Sequence, residues 1–161
     1  MSSQELNEPG IKSDETLFDI IEHIHGTGEV RITDIADDLN LSKSTVHGHL
    51  TSLRQRGYVV RNSGEYRLGM EFLNHGRYVQ TSYEIYSVVH EKVTQLAQET
   101  DERVWCMVEE NGLGYYLEGA KGKHSVHPPS RIGKGVHLHP LSAGKSILAY
   151  LDEAKVQNII N

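Results

Sequence analysis

The sequence predicts an α+β chain in two parts, and three observations carry this. Between residues 13 and 56, apolar side chains recur at helical spacing in three short blocks. Residues 58 to 68 then read as a hairpin turning at Asn62-Ser63-Gly64. The second half mixes helix with a second hairpin at Asn111-Gly112. A chain of 161 residues has room for one ordinary domain or two small ones.

Ser13 is the expected cap of the first helix, with Asp14 and Glu15 where the helix dipole favours acids. Leu17, Ile20, Ile21 and Ile24 form its apolar stripe, and Gly26 and Gly28 end it. Thr33 is the expected cap of a second helix carrying Ile35, Ala36 and Leu39. After the short turn Asn40-Leu41, Ser42 caps a third helix, whose inward residues are Val46, Leu50 and Leu53 and whose stop is Gly57. Tyr58 to Arg61 and Glu65 to Leu68 are the two strands of the hairpin. Met70, Phe72 and Leu73 suggest a short helix in the junction. Ile85, Val89, Val93, Leu96 and Ala97 stripe a longer one over residues 83–99. "RVWCMVEENGLGYYLEGA" gives two strands and "GKGVHLHP" a further one. "LSAGKSILAYL" starts a helix, and Asp152 caps another with Val156, Ile159 and Ile160.

Composition narrows the function classes. No apolar run approaches a membrane span, and "MSSQELNEPGIKSD" has no signal-peptide core, so a cytoplasmic chain without a membrane partner is expected. One cysteine, Cys106, leaves no internal disulfide framework. The net charge is −6, but residues 40–69 hold Lys43, Arg54, Arg56, Arg61 and Arg67 against the single acid Glu65. Charge distribution matters more than the total for nucleic-acid binding.

Two helices, a tight turn and a third helix that starts with small hydroxyls form the order of a helix-turn-helix. With Val46, Leu50 and Leu53 inward, Lys43, Ser44, His47 and Gly48 point outward. The hairpin that follows is a wing, with Arg61 and Arg67 flanking its tip for phosphate or minor-groove contact. The expected DNA-binding set is Ser42, Lys43, Ser44, Thr45, His47, Gly48, Arg54, Arg61 and Arg67. A protein-binding winged helix remains the alternative.

"ITDIADDLNLSKSTVHGHLTSLRQRGYV" resembles the winged-helix domain of the IclR family of transcriptional regulators. MarR-like and TrmB-like regulators share much of this pattern. The chain departs from the IclR pattern at Gly48, where the family often has an arginine. A DNA contact by that arginine does not carry over.

"GVHLHPLSAGKSILAYL" is similar to a segment of the IclR effector-binding domain, a GAF-like fold. Both signatures in this order extend the resemblance over nearly the whole chain from Ser13 onward. They imply a flexible tail (1–12), a winged helix-turn-helix (13–69), a linker (70–82) and an α/β effector domain (83–161). Family members continue past the position of Asn161, so the effector domain is expected to be partial. An open sheet edge would then make residues 70–161 associate when expressed alone. The resemblance further implies a homodimer, or a tetramer of paired dimers, on a pseudo-palindromic operator. Control would come from a small organic effector at Leu141, Ser142, Ala143 and Gly144.

Other chemistries find less support. Gly144-Lys145-Ser146 ends like a phosphate-binding loop, but the position five before Gly144 is His139, followed by Pro140, which removes an N–H. No nucleotide cofactor is expected. His124, His127, His137 and His139 are a candidate metal cluster, the last two on one face of a strand. No cysteine or carboxylate joins them, so no metal is expected. Cys106 lies in the apolar strand "VWCMV" and reads as a buried thiol, and no nucleophile–base pair is written in the sequence, so catalysis is not expected.

Overall fold

The computed structural model describes residues 10–123 and 131–160. The chain divides into two compact units, Met1–Arg77 and Tyr78–Asn161.

The first unit opens with α1 (Lys12–Thr27), followed by β1 (Val30–Arg31), α2 (Ile32–Asp38), α3 (Lys43–Gln55), β2 (Val59–Asn62) and β3 (Glu65–Leu68). The α1 start differs from expectation. Its N-cap is Ile11, whose carbonyl accepts from the Asp14 and Glu15 N–H groups at 2.8 and 3.1 Å. Ser13 therefore lies inside the helix and caps nothing. Thr33 likewise lies inside α2, because the chain passes straight from β1 into that helix with Arg31 at the N-cap. Two-residue β1 escapes sequence pattern, yet it pairs antiparallel with β3 and gives the sheet order β1-β3-β2.

One core unites these elements. Ile20, Ile24, Ile35, Val46, Leu50 and Val59 are almost fully buried, with Val30, Ala36, Leu53 and Tyr66 around them. Each such aliphatic side chain contributes roughly 1.5–3 kcal/mol of transfer free energy.

The turn after α3 fixes where the wing begins. Gly57 has φ of 79°. Its N–H donates to the Arg54 carbonyl at 3.1 Å, and the Tyr58 N–H donates to the Leu53 carbonyl at 2.9 Å. This is a Schellman stop, and only glycine adopts that φ without steric cost. At the wing tip, Ser63 and Gly64 both have positive φ (49° and 93°), the requirement of a two-residue type I′ hairpin.

α4 (Glu71–Ser82) is longer than the short junction helix expected. In the second unit, α5 (Tyr86–Thr100) packs against an antiparallel sheet of order β4-β5-β6. Its strands are Val104–Glu110, Leu113–Ala120 and Gly135–His137. The expected α5 stripe is only partly covered. Val93 and Ala97 are buried and Val89 half-buried, one i, i+4 row, while Ile85 and Leu96 stay exposed. Cys106 is half-buried on β4, not buried, beside Glu118 on β5. α6 (Ser142–Leu148) and α7 (Glu153–Ile160) complete the described residues. Among them no helix is long and apolar enough to cross a membrane.

Candidate nucleic-acid interface

The interface is built from α2, the turn after it, and α3. Asn40 takes a left-handed φ of 52°, a conformation asparagine tolerates better than most residues. The Leu41 N–H then donates to the Ala36 carbonyl at 2.8 Å and locks the turn. Ser42 is the N-cap of α3, as its sequence position indicates. Its Oγ accepts from the Thr45 N–H at 3.1 Å and lies 2.8 Å from both the Ser44 and Thr45 hydroxyls. Such a cap is worth about 1 kcal/mol.

Burial of Val46, Leu50 and Leu53 leaves the opposite face of α3 open. At 3.6 residues per turn, Ser44, His47, Gly48 and Thr51 form its central stripe, with Lys43 and Arg54 together on one flank. Lys43, Ser44, Thr45, His47, Gly48 and Arg54 are all exposed. Sequence reasoning missed Thr51, although extending Ser44 and His47 by one helical turn reaches it.

Gly48 has no structural cause of its own. Its φ is not positive, and a Cβ built there meets nothing within 4 Å. A mid-helix glycine costs about 1 kcal/mol relative to alanine.

The wing arginines do not share a face. Arg61 pairs across the hairpin with Tyr66, and its guanidinium lies 5.5 Å from that ring's centroid. Arg67 pairs with Val60, one register position away, so it projects to the opposite side of the sheet. There it is 3.9 Å from Glu29, while Arg31 contacts Glu65 at 3.3 Å. Both ion pairs are solvent-exposed and worth at most about 1 kcal/mol, so they break easily in favour of phosphate. Arg67 and Glu29 also line an open depression of about 270 Å³ with Ile24, His25, Gly28 and Leu68.

In the second unit, Leu141 is the N-cap of α6 and half-buried, and Ser142 and Ala143 are exposed. Gly144 is buried. A Cβ there would stand 2.0 Å from the Leu138 carbonyl oxygen, so its missing side chain serves close packing against the chain's own backbone. His137 ends β6 and His139 lies beyond it, correcting the expectation of one shared strand, although their ring centroids are 5.8 Å apart. His124 and His127 lie outside the described residues. No group of three or more metal-ligating side chains gathers among the described residues.

The second unit also holds a buried acid that sequence pattern did not flag. Glu118 lies on β5 with its side chain 8% exposed. Burial pushes its carboxyl up, but hydrogen bonds from the Gly119 N–H at 2.8 Å, His90 at 3.0 Å and Tyr86 outweigh this and hold it below the usual range.

Known proteins share this arrangement. Residues 16–63 match the IclR helix-turn-helix domain, and residues 77–161 match the bacterial transcriptional regulator IclR C-terminal domain. The chain belongs to the IclR family. That family consists of transcriptional regulators and not enzymes. The HTH-type transcriptional regulator XynR of Escherichia coli is 32% identical over 155 residues, 94% of this chain and 62% of XynR. The crystal structure of Thermotoga maritima IclR superposes with a TM-score of 0.72 at 27% identity, covering 92% of this chain and 60% of that one. An IclR homologue from Microbacterium hydrocarbonoxydans, complexed with 4-hydroxybenzoate, shares the fold at TM-score 0.67 and 17% identity, covering 89% of this chain and 62% of that one. The chain thus spans about 60% of the length of these relatives.

Proposed function

We propose that this IclR-family chain regulates transcription by binding operator DNA as a homodimer. α3 enters the major groove with Ser44, Thr45, His47 and Gly48 toward base edges. Ser42 orders the start of that helix, and Lys43 and Arg54 meet phosphates on one flank. Arg61 and Arg67 serve different sides of the wing, so one of them takes the backbone nearest α3 and the other follows the wing edge. The observation that carries this reading is the exposed polar face of α3, built on a complete buried core and coincident with the basic patch. Exposed Phe18, Met70 and Leu73 in the first unit are apolar surface that a second copy would cover.

We further propose that a small organic effector bound by the second unit shifts operator affinity. Leu141, Ser142 and Ala143 would meet it, with Gly144 holding the turn against Leu138. The ligand-bound Microbacterium homologue and the C-terminal family match support this part.

Selection from a random duplex pool tests the DNA reading. The full chain is expected to enrich a pseudo-palindrome whose half-sites are about 10 bp apart, or a multiple of this. A Lys43→Ala/Arg54→Ala double variant is expected to enrich none. A folded wild-type chain that enriches no duplex at low salt contradicts the proposal.

A further inference from the structure

We infer that His75 is a positioning residue: held by Tyr58, it fixes the direction in which α4 leaves the winged helix and so sets the half-site spacing that the dimer accepts. The inference rests on the homodimer reading and deepens it.

Tyr58 is the joint between the recognition helix and the helix that leaves the first unit. Its N–H donates to the Leu53 carbonyl of α3 at 2.9 Å, and its carbonyl accepts from the Gly69 N–H at 2.7 Å, just before α4. A Cβ on Gly69 would stand 2.1 Å from the Gly57 carbonyl oxygen, so the chain returns to the α3 stop at backbone contact. The Tyr58 ring then meets α4 at two points on one side of that helix. Phe72 approaches edge-on with ring centroids 5.1 Å apart, and the His75 ring lies within 3° of parallel at 5.6 Å. The Tyr58 hydroxyl and His75 Nε2 are 2.7 Å apart. One contact leaves a helix free to pivot, whereas two contacts at i and i+3 fix its axis.

The pair is not a core contact. The His75 side chain is 61% exposed, so little apolar surface leaves the water there. What the pair governs is the aim of α4. Leu73 stands on roughly the opposite side of that helix from His75 and is exposed, as is Met70 just before the helix. Both belong to the apolar surface assigned to a second copy. A rigid joint holds two recognition helices at one separation and rotation, and a loose joint spreads them over many. Each base pair turns a half-site by about 35° around the duplex, so a rigid dimer accepts few spacings.

The test uses the full chain and the duplex that it enriches. Affinities of wild type, His75→Ala and Tyr58→Phe are measured on that duplex and on a duplex with a single half-site. They are also measured on versions in which the spacing between half-sites is lengthened or shortened by a few base pairs. Wild type is expected to lose roughly tenfold or more when the spacing changes. His75→Ala is expected to bind the enriched duplex several-fold more weakly, to vary by less than about threefold across the spacings, and to match wild type on the single half-site. Tyr58→Phe, which lacks only the hydroxyl, is expected to move the same way by less. A contact that served stability alone would not flatten the spacing profile. If His75→Ala keeps the wild-type spacing profile, or weakens equally on the single half-site, the inference fails alone. If wild type binds the single half-site as tightly as the enriched duplex, the homodimer reading fails; if it enriches no duplex, the DNA reading fails. The inference falls with either.

Discussion

Ser42, Gly57 and Gly144 are single residues whose roles follow from one or two atoms each. Ser42→Ala removes the acceptor for the Thr45 N–H and loosens the first turn of α3. It is expected to cost about 1 kcal/mol in chemical denaturation and to weaken duplex binding as well. Gly144→Ala places a carbon against the Leu138 carbonyl, a backbone atom that a rotamer change does not clear. It is expected to lower the unfolding temperature, with a cost of about 1–3 kcal/mol typical of overpacking. Glu118 makes stability depend on pH. Its folded carboxyl holds a proton less tightly than the unfolded one. The unfolded chain therefore binds more protons through the carboxylate range, and stability rises with pH there. The contribution is complete above the ordinary glutamate value and disappears as pH falls through the depressed one. Denaturation of wild type and Glu118→Gln across this range checks it. The difference between them is expected to shrink toward acid pH, and a constant difference contradicts the assignment.

At the scale of elements, what the sequence reveals depends on whether the signal is local. The α3 cap, its buried row and the Gly57 stop need only neighbours within one turn, and all three stand as expected. Both hairpin turns are equally local, since Ser63-Gly64 and Asn111-Gly112 place positive φ at the tips. Ser13 and Thr33 mislead for a physical reason. A small hydroxyl marks a helix start only to within a residue or two, and here Ile11 and the end of β1 set it. β1 itself is too short to show alternation and exists because β3 offers it a partner. The opposed directions of Arg61 and Arg67 were not legible either, because register decides them, not proximity to the tip. Nor does spacing reveal that the gap at Gly144 holds Leu138, a long-range packing fact. The wing leads to a prediction at this scale. Glu29 stands 3.9 Å from Arg67, so under the proposed DNA reading it would compete with phosphate for that arginine. Glu29→Gln is expected to tighten duplex binding several-fold at low salt, read by fluorescence anisotropy, with the gain fading as salt rises.

For the whole molecule, the central claim is that an acidic chain of net charge −6 binds DNA through a local basic face. The most direct test is operator affinity against salt concentration, by fluorescence anisotropy, for wild type, Lys43→Ala and Arg54→Ala. The account predicts a steep fall in wild-type affinity as salt rises, and a slope shallower by about one for each substitution in each half-site. Variants that bind with the wild-type slope would contradict it, because phosphate contact would then lie elsewhere on the chain.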